Sequence, residues 1–185
     1  MKIEKGLIRK EILSKLRNQS PVERERKSDI IKNKLFSTAE YKKANAVMFY
    51  VSTDEEVATR RMIIETLEKG KIVAVPYIEN KTNEMIASEL HDLMNDLGKG
   101  HLGIQVPKKE ALREVPLDKI DMVVVPGLAF DEENHRLGRG KAYYDRFLKR
   151  LPSGTDTIGI CFDFQVVKGL PKESHDQPVS RVITN

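Results

Sequence analysis

Arg136-Leu137-Gly138-Arg139-Gly140-Lys141-Ala142-Tyr143-Tyr144-Asp145 gathers three cations, two glycines, two tyrosines and a carboxylate in one run. The chemistry such a set supports is anion binding. Glycine lets the backbone approach a ligand, free amide N–H groups point outward, and a helix start favours negative charge. Arg136, Arg139 and Lys141 supply more positive charge than a turn needs, so the expected ligand is a polyphosphate. Taken singly, loop cations are usually solvated and glycines are punctuation. Their joint placement after an apolar β-branched stretch, 121–125, closed by Pro126-Gly127, favours a site.

Other candidates are weaker. In the N-terminal segment Lys5 and Arg9 fall on the same helical side as Ile8, Ile12 and Leu16. A cation on a buried stripe needs an anionic partner or a route to water. Lys5 taken alone is expected to snorkel to water at the helix end, whereas for the pair a ligand phosphate and an internal salt bridge are equally open. In Val51-Ser52-Thr53-Asp54-Glu55-Glu56-Val57, Asp54 and Glu55 either favour the start of the next helix or sit on a ligand rim, where a carboxylate could hold ring N–H groups. Asp145 and Asp176 each lie beside an expected rim element, and hard oxygen donors with a polyphosphate suggest Mg²⁺. Singly, each is as well explained by a helix surface or a turn. One cysteine and four scattered histidines offer no zinc spacing. His175-Asp176 is an adjacent pair whose side chains need not face each other, and Ser180 has no nucleophile-elbow pattern.

The elements that must position these residues follow from periodicity. Residues 3–17 predict a helix. Ser20-Pro21-Val22-Glu23 has capping-box spacing with proline at the first helical position, and opens a second. Residues 46–50 predict a strand, 57–67 a helix ending near Gly70, and 71–76 a strand ended by its proline. Residues 84–90 suggest another strand, 98–107 a loop. After 121–125 come the polar motif loop, a helix from about 140, and strands at 157–162 and 181–184. Short apolar strands alternating with helices predict one α/β domain spanning 1–185, with a mostly parallel sheet covered on both faces. Such sheets bind ligands at the carboxyl ends of their strands, which points to 51–56, 126–140 and 163–178.

Composition sets bounds. With 185 residues, 39% hydrophobic and 32% charged, the chain suits one globular core. A net charge of +4 spread over the chain is weak evidence for nucleic acid. No apolar run approaches the ~18 residues of a membrane span, and the start lacks a signal-peptide core. The single Cys161, in an apolar strand-like run, suits a reducing cytoplasm and a buried, inert thiol.

The stretch 125–131, Val-Pro-Gly-Leu-Ala-Phe-Asp, followed by 136–145, closely resembles the signature of the 5-formyltetrahydrofolate cyclo-ligase (methenyltetrahydrofolate synthetase) family. The resemblance extends to Lys5-x-x-x-Arg9, Tyr50…Glu56-Val57-x-Thr59, Val75-Pro76 and Leu170-Pro171…His175-Asp176, and so covers essentially the whole chain. It implies a three-layer α/β/α fold like that of ribose-phosphate isomerases and CoA transferases. It implies ATP- and Mg²⁺-dependent closure of 5-formyltetrahydrofolate to 5,10-methenyltetrahydrofolate through a phosphorylated formyl group, an imidate phosphate. By the same resemblance Lys5, Arg9, Arg136, Leu137, Gly138, Arg139, Gly140, Lys141, Ala142, Tyr143 and Tyr144 would meet ATP. Val51 and Glu56 would contact the folate, sharing Arg139, Gly140, Lys141, Ala142 and Tyr143 with ATP. Arg139 and Lys141 would be catalytic, and Asp145 and Asp176 would hold Mg²⁺. A cytoplasmic monomer acting on two small molecules is expected, with neither nucleic acid nor membrane as partner.

Two positions depart from the family pattern. Ala142 stands where glycine is usual, which implies ordinary φ/ψ and a methyl crowding the ligand. Ser180 stands where an aspartate is expected, which would weaken metal affinity if that carboxylate helped to hold the metal. Two rivals stay in view. A sugar-phosphate isomerase or CoA transferase would use the phosphate loop without ATP. A nucleotide-sensing or RNA-binding module would want exposed aromatics, yet these are only 6% and tryptophan is absent.

Overall fold

The computed structural model describes residues 2–79, 81–100, 104–173 and 176–185. Helices α1 (Lys2–Asn18), α2 (Pro21–Ser37) and α3 (Ala39–Lys43) precede β1 (Ala46–Met48), α4 (Arg60–Glu68), β2 (Ile72–Ile78) and β3 (Met85–Glu89). A small antiparallel pair follows, β4 (Leu97–Lys99) with β5 (Gln105–Pro107), and then β6 (Met122–Val125). The chain continues through β7 (Ala129–Asp131), β8 (Arg136–Leu137), α5 (Tyr143–Leu148), β9 (Asp156–Ile160), β10 (Val166–Val167) and β11 (Arg181–Ile183). The main sheet has the order β11-β9-β6-β1-β2-β3 and is parallel except for the β2–β3 hairpin. No helix among the described residues is long and apolar enough to cross a membrane.

The strands are apolar on both faces because both faces are buried. Val47, Phe49, Val73, Val75 and Val124 pack with Ile12 and Leu16 of α1, Ile31 and Leu35 of α2, and Met62 and Ile63 of α4. Their alternates Met48, Ala74, Val123 and Val125 pack with Met85, Ala87, Ile120 and Phe147. At ~25 cal/mol per Å² of apolar area removed from water, this two-sided burial dominates the stability of the sheet. Ser20 caps α2 as its spacing predicts, accepting a hydrogen bond from Glu23 N–H at 3.2 Å, with Pro21 at the first helical position.

Four expectations need correction. β2 does not stop at Pro76 but runs on to Ile78, paired with β3. The Leu90 N–H bond to Val73 O puts 73, 75 and 77 in register with β3, so residue 76 faces the other neighbour. That neighbour, β1, has ended at Met48 opposite Ala74, and proline's missing donor is not called on. Residues 98–107 contain the β4–β5 pair rather than loop alone, although 101–103 lie outside the described residues. The motif loop carries the β7–β8 hairpin, with β10 alongside in a second, three-stranded sheet. The helix expected from about 140 begins at Tyr143 and lasts six residues.

Candidate functional site

The carboxyl ends of β1, β2 and β6 lie side by side, and three segments leave them: 49–59, the β2–β3 turn, and Pro126 to α5. The first is folded back onto its own strand. Thr59 Oγ1 donates to Tyr50 O at 2.6 Å and accepts from Ser52 N–H, while the Tyr50 hydroxyl donates to Val57 O at 3.1 Å. Val51 is thereby buried and Glu56 half-buried at the edge. Glu56 accepts from Thr53 N–H at 2.9 Å on Oε2 and faces Arg139 Nη2 at 3.4 Å with Oε1. Asp54 and Glu55 are not at a helix start, because α4 begins only at Arg60 and has no acid in its first turn. Glu55 instead pairs with Arg17 at 3.1 Å, and Asp54 is exposed.

The β7–β8 hairpin is built on Asp131. Its Oδ1 accepts the backbone N–H groups of Glu133 and His135 at 3.0 and 2.9 Å, and Oδ2 accepts Leu170 N–H at 3.1 Å. Burial pushes this carboxyl up, but the hydrogen bonds from His135 and Leu170 outweigh it and leave the pKa below the ordinary value. The charged form is the one the hairpin needs.

From β8 the three motif cations diverge. Arg136 turns inward, its side chain 4% exposed, with Nη2 on Asp145 Oδ1 at 2.7 Å and Nη1 on Pro126 O at 3.3 Å. Its guanidinium lies 5.6 Å from the centre of the Tyr144 ring, and its Nε–H is buried without a partner among the described residues. At Gly138 a Cβ would stand 2.7 Å from Arg136 Nη1, so any larger residue would have to displace the guanidinium. Leu137 is buried with it. Arg139 and Lys141 point outward and are exposed, and Lys141 has no ion pair among the described residues. Gly140 takes φ +100, a conformation suited to glycine. Ala142 corrects the expectation of ordinary φ/ψ: it caps α5 in the left-handed region at φ +53, ψ 21.

Helix α1 crosses this loop. Arg9 Nε donates to Gly138 O at 2.9 Å, and its guanidinium lies against Gly140. Lys5, one turn earlier, is buried and pairs with Asp176 at 2.7 Å and Glu173 at 3.6 Å. Lys5 does not snorkel to water as expected of it alone, but lies buried in an internal salt bridge. Arg9 stands at the loop itself. Lys5 and Arg9 are neighbours on one helix face, so Asp176 and the Gly138 carbonyl bind α1 one turn apart. His175 lies outside the described residues.

Two hydroxyls at this edge are buried without a partner among the described residues, Tyr144 Oη and Thr53 Oγ1. Burial raises the Tyr144 pKa well above its ordinary value and the Glu56 charge raises it further, against the lowering effect of Arg136. Tyr144 is therefore a hydrogen-bond donor at any working pH. Cys161 is buried, and desolvation pushes its thiol up to about 12, as an inert thiol requires. Ser180 is remote from all this. It pairs with Thr157, hydroxyl to hydroxyl at 3.0 Å, where β11 begins beside β9 at the amino ends of the strands.

Among the described residues no three His, Cys, Asp or Glu side chains are grouped to hold a metal. Asp145 spends Oδ1 on Arg136, while Oδ2 takes no hydrogen bond from the described residues. Asp176 accepts Lys5 and Glu173 N–H on Oδ2. The open Oδ2 of Asp145 is a donor of the kind Mg²⁺ takes when it comes with a nucleotide, where one or two carboxylates are completed by phosphate and water. The set does not fit a metal cage made of protein alone. Sequence reasoning missed Asn83 in the β2–β3 turn, whose Oδ1 accepts the Tyr143 hydroxyl at 2.9 Å. An asparagine in a hairpin turn is ordinary turn chemistry, and nothing local signals a contact 60 residues away.

Residues 1–185 match the 5-formyltetrahydrofolate cyclo-ligase family. The chain is 30% identical over 184 residues to the 5-formyltetrahydrofolate cyclo-ligase of Mus musculus, covering 95% of this chain and 91% of that protein. It is 31% identical over 142 residues to that of Escherichia coli (strain K12), covering 76% of this chain and 78% of that one. The NMR structure of Aquifex aeolicus 5,10-methenyltetrahydrofolate synthetase superposes with a TM-score of 0.85 at 37% identity, over 97% of this chain and 89% of that one. The 5,10-methenyltetrahydrofolate synthetase of Mycoplasma pneumoniae gives 0.79 at 24% identity over 98% of both, a likeness that speaks for the fold.

Proposed function

Since this chain belongs to the 5-formyltetrahydrofolate cyclo-ligase family, we propose that the motif loop and the Glu56 loop are the two halves of its active site. The reaction is the ATP-dependent conversion of 5-formyltetrahydrofolate to 5,10-methenyltetrahydrofolate. A formyl oxygen is a poor leaving group, and phosphorylation makes it a good one. In our reading that oxygen attacks the γ-phosphate of ATP, ADP departs, and the product is an imidate phosphate. The neighbouring folate nitrogen then attacks the activated carbon, and phosphate leaves as the ring closes. Neither step needs a protein nucleophile. Both need charge neutralised and reacting atoms aligned.

The residues divide accordingly. Arg139, paired with Glu56, and Lys141, exposed two residues further along the same loop, carry the charge of the transferring phosphoryl group. The backbone of 136–144, with Gly140 open to close approach and Arg9 against it, receives the rest of the polyphosphate. Lys5 and Arg136 contribute from behind, one anchoring Asp176 and the other anchoring Asp145. Glu56 accepts ring N–H groups of the folate, Val51 packs against it, and 139–143 serve both substrates. Asp145 and Asp176 would hold Mg²⁺, which when bound neutralises polyphosphate charge. One chain carries every assigned residue, so we take a monomer acting on two small molecules as the working unit.

The observation that carries this reading is a loop with two exposed cations, Arg139 and Lys141, of which Arg139 meets the half-buried carboxylate of Glu56. An absorbance assay for the methenyl product, omitting 5-formyltetrahydrofolate, ATP and Mg²⁺ in turn, tests it. Product is expected only with all three present. ATP binding without product would leave the phosphate half standing and overturn the folate half.

A further inference from the structure

The β2–β3 turn meets the end of the motif loop at Tyr143 and Arg146, whereas α1 meets it at Gly138. Asn83, itself at φ +58, accepts the Tyr143 hydroxyl on Oδ1 at 2.9 Å and Arg146 Nη2 on its carbonyl at 3.4 Å. Arg146 Nη1 reaches Lys141 O at 3.2 Å, and its guanidinium lies 5.2 Å from the centre of the Tyr143 ring. Behind these, Arg150 Nη1 holds Glu84 at 3.2 Å and Met85 O at 3.3 Å, seating the hairpin on the end of α5. Ala142 stands between the two held residues at φ +53. That conformation is uphill for any residue with a Cβ and persists only where its surroundings over-determine it. Here the surroundings are specific: Lys141 is gripped by its carbonyl and Tyr143 by its hydroxyl, and both grips lead to Asn83.

We propose that the β2–β3 turn is a clamp that holds residues 141–143 in their ligand-binding conformation, with Asn83 as its positioning residue. The proposal rests on the assignment of Lys141 and Tyr143 to the substrates. Asn83 acts through Tyr143 and Arg146 and orients the cation that meets the phosphoryl group. Released from the clamp, Ala142 relaxes toward ordinary helical or extended φ, and Lys141 swings with it.

The test uses Asn83→Gly, which removes Oδ1 but tolerates positive φ, and Asn83→Asp, which keeps an acceptor oxygen and tolerates the same backbone. Two readouts are needed: kcat and KM for both substrates, and hydrogen exchange of the Arg146 amide, which is bonded to Ala142 O at 3.1 Å. Asn83→Gly should lower kcat/KM about fivefold, the scale of one net hydrogen bond, and speed Arg146 exchange by a similar factor with β6 unaffected. Asn83→Asp should restore both. In an Ala142→Gly background the same Asn83→Gly change should cost less than about twofold, because glycine holds the left-handed conformation unaided. Equal losses in the two backgrounds, or unchanged exchange in Asn83→Gly, would overturn the clamp. Should the wild-type protein form no methenyl product, the reaction assignment falls, while the exchange of Arg146 still decides whether the clamp exists.

Discussion

Replacing Ala142 with glycine should stabilise this protein. Alanine at φ +53, ψ 21 places Cβ against the following carbonyl, a cost of about 1–2 kcal/mol for an L-residue. Glycine removes that cost but adds unfolded-chain entropy worth about 0.5–1 kcal/mol. Taken at matching ends of the two ranges, the difference favours glycine by about 0.5–1 kcal/mol. For a chain of this length each kcal/mol moves Tm by about 2–4 °C, so the rise should be about 1–4 °C. Thermal unfolding followed by circular dichroism measures it, and a urea midpoint raised at constant m separates native-state strain from a changed unfolded state. A Tm that falls would refute the reasoning. It would mean that residue 142 is not left-handed in solution, or that its methyl makes contacts worth more than the strain.

Three further outcomes follow from the site. Lys141→Ala should lower kcat or raise KM for ATP more than tenfold, above ~1.4 kcal/mol of lost transition-state binding, and an unchanged kcat/KM would remove Lys141 from the ATP site. Glu56→Gln should weaken the folate substrate and leave ATP affinity nearly intact; equal losses for both would indicate a disordered loop. Asp131→Asn should destabilise at neutral pH by an amount that fades in acid. The folded carboxyl of Asp131 lies below its unfolded value, so its stabilisation is present above the unfolded pKa of about 3.9 and is lost as pH falls through the folded one. A destabilisation equal at pH 7 and pH 3, followed by urea unfolding, would rule out the charge as its source.

The alternation of the main sheet was legible because apolarity on two faces leaves an unbroken run, as in Met122-Val123-Val124-Val125. Its small elements were not. β8 spans two residues and α5 six, too short for either period to register, and β4 and β5 are three each. Pro76 misled for a different reason. A proline ends a strand only where its donor would be used, and that depends on where β1 stops, which is a fact of tertiary pairing. Ala142 misled because residue type argues for ordinary φ, whereas the contacts that impose φ +53 come from Asn83 and Arg146.

For the candidate site, the sequence pointed to a loop but not to the direction in which its side chains face. Arg136, Arg139 and Lys141 are equivalent as letters. In the fold, Arg136 is committed to Asp145 and Pro126 beneath the loop, while Arg139 and Lys141 stay outside. The distinction has a physical use. A loop that must bind several phosphate charges loses rigidity if all its cations face the ligand, because like charges repel when the ligand leaves. Turning one arginine inward onto a buried carboxylate fixes β8 to α5, and the outward pair then sits on a frame that does not depend on the ligand. Removing Arg136 would leave Asp145 buried and uncompensated, a loss of about 3–5 kcal/mol that belongs to folding rather than to ATP affinity.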